Sequence, residues 1–509
     1  MTMQTDVQDV LDRLKTAQQQ PLGDPRFKSF IGLEKSTFSQ SASATSGLTF
    51  YDLELGAKFL YPVLTPLRNM IPRVSGKGGI QAAWRAITAI NTTGLRFGVS
   101  SANRGGVMAV ATKDYTATYK GIGVETSVDF EAQFAGQEYD DVRAVGAKTG
   151  LEALMLGEEA MILGGSTSTP LGTTPTPTLT ALTTGGTLAA QTWSVICAAM
   201  TLDALMNGSI AGGVQGSITR PNADGLTSDT FGGGVAKKSA NATVPTTGAT
   251  GSIAASVAPV SGALGYAWFW GAAGAEKLGA ITTINSVVII AAATGTQLAS
   301  DPTANLAADN SANALAFDGL IYQALITGSG SYVSVMPTGS AGTGTPLTSD
   351  GAGGIIEIDV ALKSMWDNYR LSPDTMWVNS QEALNISRKI LSGSQTAAQR
   401  FVFESSQDLV GGGIMVRTYL NRFSMQGGSV IDIKVHPNMP AGTILMTTKT
   451  LPYPLAGVGN VVQIRTRQDY YQIEWPLRTR KYEYGVYADE VLQNFFPPSL
   501  ALITNIGNG

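Results

Sequence analysis

Cysteine and histidine are almost missing from this chain. Its 509 residues include one cysteine, Cys197, and one histidine, His436. A single cysteine excludes an internal disulfide. Cys197 lies in the apolar run 193–200, where a small buried hydrophobe is expected. A single histidine excludes the usual two-histidine metal sites. His436 precedes Pro437 in a turn, which gives it a structural reading. Charge is scarce as well: 14% of residues are charged and the net charge is −4. That balance excludes a dense phosphate-gripping surface over the chain as a whole. No apolar run reaches the roughly 18 residues of a membrane span. The first residues, MTMQTDVQDVLDRLKTAQQQ, lack a secretory apolar stretch, so folding in a reducing cytoplasm is expected. There is no G-x-S-x-G elbow and no P-loop. The glycine-rich stretches 232–234 and 411–413 have no following basic residue and helix start, so they read as turns. Asp140/Asp141 and Glu158/Glu159 read as helix-surface charges rather than acid/base pairs. The expectation is a protein that is not an enzyme and uses no cofactor or metal.

What is present is glycine, 59 residues of it, and a hydrophobic fraction of 43%. That is enough for packed cores in about two to four domains. Residues 1–20 pattern as a short amphipathic helix with Val7, Val10, Leu11 and Leu14 on one face. Residues 21–50 are rich in Ser, Thr, Gly and Pro but carry Phe27, Phe30 and Phe38, as an extended arm lying on another surface would. The apolar stretch 59–73 is cut by three prolines and is a connector. Two strands are expected over 80–90 and 115–128, forming a long hairpin with a broad tip at 103–106. A two-stranded hairpin is marginal alone in water, so this one is expected to pack on a neighbouring subunit. Residues 138–163 give the best helix, with Asp140 and Asp141 at its start and Gly164-Gly165 at its end. At 1.5 Å per residue it would be about 35 to 40 Å long. Its apolar stripe reads as Val142, Val145, Leu151, Leu154, Met155 and Ile162. Gly146, Gly150 and Gly157 weaken it as a lone helix, so packing must hold it.

The composition changes after the helix. Between residues 166 and 300 the only charged side chains are Asp203, Arg220, Asp224, Asp229, Lys237, Lys238, Glu276 and Lys277. Strands are expected over 192–200, 252–260, 265–271 and 284–291, separated by Gly, Asn and Pro turns. This reads as an inserted β-sandwich of immunoglobulin- or fibronectin-like type, the latter favoured without a cysteine pair. Trp268 and Trp270 alternate onto one face. Core packing is expected of them, and an adhesive or carbohydrate-binding platform is the alternative. Beyond 310 a helix is expected over 355–369, a buried strand at 376–378, and a helix capped by Ser380. The mixture is α+β. The C-terminal stretch IDIKVHPNMPAGTILM (431–446) reads as strand, turn and strand. VVQIRTRQDYYQIEWPLRTRKYEYGVYADEVLQ (461–493) reads as two alternating strands joined at Pro476.

This order, HPNMPAGTILM followed by LPYPLAGVGNVVQIRTRQDYYQIEWPLRTRKYEYGVYADEVLQ, resembles the C-terminal part of tailed-phage major capsid proteins of the Hong Kong 97-type fold. The resemblance is specific over 354–509, looser over 45–165, and absent from the middle of the chain. It implies an N-terminal arm (1–50), an extended hairpin loop with connectors (51–137), a spine helix and linker (138–172), and peripheral and axial capsid domains (301–509); the inserted sandwich (173–300) rests on its strand pattern alone. It implies a virion shell of pentamers and hexamers that encloses double-stranded DNA with non-specific contact only. Assembly would take place in the bacterial cytoplasm. A separate scaffolding protein, a portal and a decoration protein would be the partners. Subunit contacts are expected at Phe27, Phe30, Arg96, Asn103, Arg104, Ser405 and Gly411.

Overall fold

The computed structural model describes residues 58–90, 98–136, 140–392, 415–425 and 428–508. The expected helix and arm over 1–50 lie outside the described residues.

The C-terminal alternation builds the central sheet. Val462–Glu474 and Lys481–Asn494 pair antiparallel on either side of the Pro476 turn. Arg73–Ser75 joins the first strand in parallel, and Lys120–Asp129 joins the second antiparallel. Register shifts around Gln468 separate two adjacent tyrosines. Tyr470 turns towards the helix side, beside Leu154, Val486 and Ala488. Tyr471 stacks on Tyr487 across the other face, with ring centres 5.8 Å apart.

The long helix, Val142–Gly164, lies on this sheet. Asp141 caps it, with Oδ1 accepting from the amides of Arg143 at 3.1 Å and Ala144 at 3.2 Å. The expected apolar stripe is only partly the buried one. Leu154 and Ile162 are buried, but they share that face with Gly146, Gly150 and Glu158. The buried residues fall four apart, and the glycines let the helix backbone approach the strands. A Cβ on Gly146 would lie 2.2 Å from the Tyr484 hydroxyl, and one on Gly150 would lie 3.3 Å from Thr126 Cγ2. The helix ends at Gly165 because of crowding, not a left-handed turn: a Cβ there would sit 2.3 Å from the Phe317 carbonyl oxygen. This yields a contrasting pair of outcomes. Among the described residues nothing lies within 4 Å of a Cβ on Gly157, so Gly157→Ala should stabilise the protein by about 0.5–1 kcal/mol in urea denaturation. Gly146→Ala should instead cost about 1–3 kcal/mol, because the Tyr484 hydroxyl must leave the Arg143 carbonyl oxygen, which it bonds at 2.9 Å.

Gln81–Ile90 pairs antiparallel with Val110–Thr118 as a separate two-stranded ribbon. The single strand expected over 115–128 breaks at Tyr119, and its second half joins the central sheet instead. Tyr119 is buried with Ala82, and its hydroxyl lies against Gly76. A buried aromatic thus marks the change of sheet. At the ribbon's inner end, Trp84 stacks on Tyr115 and meets Phe495 edge-on at 5.7 Å.

The middle of the chain forms two further sheets. One holds Thr178–Leu182, Ser252–Ser256 and Ser286–Ile289. The other holds Ala242–Pro245, Thr192–Met200, Gly265–Gly271 and Lys277–Thr282. Trp193, Tyr266, Trp268 and Trp270 fill the core between them. Ile196, Met200 and Phe269 fill a second core behind the four-stranded sheet. Burial on both faces explains why 192–200 reads as an unbroken apolar run. It also places Trp268 and Trp270 in the core, which removes the aromatic platform of the adhesive alternative. Entry and exit of this unit are bonded side by side: Asn313 donates to the Ser166 carbonyl at 2.7 Å, and Gly319 to that of Gly165 at 2.8 Å.

The C-terminal half is a six-stranded mixed sheet. Its order is Tyr332–Val335, Leu500–Thr504, Ile444–Thr447, Thr375–Val378, Ser429–Val435 and Thr418–Asn421. Helices Ile356–Tyr369 and Ser380–Ser392 pack against it around Met376, Val378 and Ile433. The second helix is capped not by Ser380 but by Asn379, whose Oδ1 accepts from the Gln381 amide at 2.9 Å. The architecture is α+β.

Candidate functional site

Glu158 and Glu159 are not surface charges. Both are fully buried, and they join four parts of the chain. The sequence reading missed this because it weighted the helix by its apolar residues.

Glu159 binds two elements at once. Its Oε1 accepts from the Leu67 amide at 2.9 Å and its Oε2 from the Arg68 amide at 2.8 Å. It therefore caps the short helix Pro66–Met70 from outside, where Thr65 supplies no side-chain cap. His436 lies 2.6 Å from the same Oε1 through Nε2. The His436 Nδ1 accepts from the Asn438 amide at 3.1 Å, so Nε2 carries the hydrogen and donates it to Glu159. The structural reading of His436 thus becomes concrete: it ties the 436–442 turn to the long helix.

One helical position earlier, Glu158 meets Arg68 Nε at 3.1 Å, Arg73, and the Tyr470 hydroxyl. Arg73 also bonds Asp469 at 2.7 Å and Glu490 at 2.8 Å. Both guanidinium groups lie over the Tyr470 ring, at 5.1 Å for Arg68 and 4.5 Å for Arg73. Two arginines thus face three carboxyl groups, of which Glu158 and Glu490 are buried and Asp469 is half exposed. Burial pulls the Arg73 guanidinium down, but the Asp469 bond and the charges of Glu158 and Glu490 outweigh it and push it up. Burial, then the bond to Glu158, pushes the Tyr470 hydroxyl up. Burial, then the charge of Glu158, pushes the Glu490 carboxyl up to about 8 against the pull of Arg73. Glu490 was legible in principle. It follows Tyr484, Val486 and Ala488 on the strand's inward face, where a carboxyl group is out of place.

Of the expected contact residues, Phe27, Phe30, Arg96, Ser405 and Gly411 lie outside the described residues. Asn103 and Arg104 are exposed in the turn beyond the ribbon, where the Asn103 amide bonds Ser100 Oγ at 2.5 Å. Around them the chain exposes large apolar side chains: Ile87 at 67%, Met108 at 62% and Val107 at 91%. Among the described residues no group of three His, Cys, Asp or Glu side chains could hold a metal ion, and no helix is long and apolar enough to cross a membrane.

No protein-family model matches the sequence, and no curated protein matches it. Solved structures do align with it. The capsid of a native GTA particle is 10% identical, with 92% of this chain and 99% of that chain covered and a TM-score of 0.39. The holo-SrpI encapsulin complex of Synechococcus elongatus PCC 7942 is 8% identical, covering 89% and 92%, with a TM-score of 0.38. The capsid of Myoviridae phage XM1 is 9% identical, covering 92% and 100%, with a TM-score of 0.37.

Proposed function

We propose that this chain is a structural shell subunit, the major capsid protein of a tailed bacteriophage, which assembles into pentamers and hexamers of an icosahedral head around double-stranded DNA. The observation that carries this reading is the ribbon 81–118. Among the described residues it leaves Ile87, Val107 and Met108 exposed, and beyond its base it stands as a separate two-stranded sheet. A two-stranded ribbon of this kind is stable when a neighbour covers it. Closed rings then form from one repeated heterologous contact. The sequence resemblance supplies the rest of the reading. The arm 1–50 and the residues Phe27, Phe30, Arg96, Asn103, Arg104, Ser405 and Gly411 would add contacts between subunits. The middle unit would be an outward-displayed immunoglobulin- or fibronectin-like sandwich. Scaffolding, portal and decoration proteins would be its partners, and the bacterial cytoplasm its place of assembly.

The test is assembly of the full chain, followed by light scattering and negative-stain imaging, with and without a scaffold partner. Rings or closed shells are expected. The double variant Val107→Asp/Met108→Asp should remain a 53.1 kDa monomer with an unchanged circular dichroism spectrum. Wild-type chain that stays monomeric under both conditions would overturn the reading.

A further inference from the structure

Within the connector Pro66–Ser75, Leu67 and Ile71 are buried in the core, whereas the strand Arg73–Ser75 is held at the sheet edge by its pairing with Ile464–Thr466 and by side-chain charge. That strand is three residues long and half exposed. The connector's polar side-chain holds are Arg68 and Arg73 on Glu158, Arg73 on Glu490 and Asp469, and the two amides on Glu159.

Glu490 is the unbalanced member of the group. It is fully buried, its Oε2 accepts from Arg73, and its Oε1 has no partner among the described residues. Glu158 faces it from the long helix, Arg73 from the connector, and Asp469 and Tyr470 from the adjoining strand. Arg68 is already engaged by Glu158 and Tyr470. Lys120 stands opposite Glu490 in register, but its Nζ donates to the Ala314 carbonyl at 2.6 Å and does not answer the carboxyl. Glu159 and His436 satisfy each other. An ionised Glu490 would therefore be an excess buried anion beside Glu158, whereas a protonated one leaves Arg73 balanced by Glu158 and Asp469.

We propose that Glu490, Glu158 and Arg73 form a proton-operated latch, which holds the connector closed while Glu490 is neutral and loosens it when Glu490 ionises. The strand Arg73–Ser75 is the part that yields, because it is the shortest strand of its sheet, lies at the edge, and moving it admits water to the anion. The folded protein keeps on Glu490 a proton that the unfolded chain releases in the ordinary carboxyl range. The stabilisation is thus complete below that range and is lost as pH rises through about 8.

The test is hydrogen exchange of the full chain between about pH 6 and 9.5, corrected for base catalysis, read on peptides covering 66–75. Protection there should fall by about tenfold from pH 7 to 9 in the wild type, while the six-stranded sheet keeps its protection. Glu490→Gln keeps an acceptor for Arg73 and should give a flat profile. Asp469→Asn removes a negative neighbour and should move the loss of protection to lower pH, which keeps the idea testable should Glu490→Gln fail to fold. A flat wild-type profile would overturn the latch. So would an equal fall in Glu490→Gln, or an unmoved one in Asp469→Asn.

Discussion

Glu159→Ala is expected to cost about 4 kcal/mol, a large share of the stability of a typical domain. The change removes one acceptor group and strands three donors: the amides of Leu67 and Arg68, and His436 Nε2. Leu67 and His436 are buried, so water does not replace the lost partner there. Each stranded donor costs about 1–3 kcal/mol, and the sum is reduced by local relaxation. Glu159→Gln should fall between wild type and alanine. One amide oxygen can still accept from two donors, but the new amide hydrogens must then face the third. Urea denaturation of the three proteins checks the order. Equal stability of Glu159→Ala and wild type would mean that the short helix and the 436–442 turn do not depend on this carboxylate.

The sequence announced some of this and hid the rest, for physical reasons. Thr192–Met200 and Gly265–Gly271 were readable to the residue, because apolar β-branched and aromatic runs end at polar or glycine positions. The C-terminal hairpin was readable because one face is dry and the period is two. The long helix was readable as a helix but not in orientation. Its inward face carries Leu154 and Ile162, which the apolar stripe included, but also Gly146, Gly150 and Glu158, none of which scores as apolar. Glycine is buried there because it lacks a side chain. Glu158 is buried because arginines 85 and 90 residues away in the chain come to meet it. Pairings at that separation leave no periodic trace. Tyr119 was hidden for a related reason: a strand that changes sheet keeps its alternation, and only the packing of the aromatic ring reveals the break. Of the expected contact residues, Asn103 and Arg104 are exposed beyond the ribbon; turn chemistry pointed to that stretch, whereas the exposed Val107 and Met108 beside it left no turn or periodic signal.

Asn505→Ala carries the second large expectation, and it concerns how the middle unit is held. Asn505 lies just after the last strand, with φ at +61°, a left-handed backbone that asparagine tolerates and alanine resists. Its amide nitrogen donates to Asn285 Oδ1 at 3.1 Å and to the Met336 carbonyl at 2.7 Å, and its oxygen accepts from the Asn285 amide at 2.9 Å. Asn285 in turn donates to the Val257 carbonyl at 2.6 Å and to Thr338 Oγ1 at 2.8 Å. Residues 257 and 285 belong to the middle unit, whereas 336, 338 and 505 belong to the C-terminal part. The network is buried and satisfied, so it fixes one orientation rather than merely adding attraction. Alanine at 505 forfeits the three bonds and adds backbone strain, for a loss of about 3 kcal/mol. Asn505→Gly relieves the strain but restores no bond, so the gap between the two variants measures the strain alone. Asn285→Ala combined with Asn505→Ala should cost less than the two singles added, because both break the same network. Calorimetry should show one transition in the wild type and two in Asn505→Ala, as the middle unit uncouples from the six-stranded sheet. A single transition in both proteins would mean that the stem at 165–168 and 313–319 holds the unit without the amide pair. The distinction bears on the shell reading. A unit locked by Asn285 and Asn505 presents the same face from every subunit, while one held by its stem alone would not.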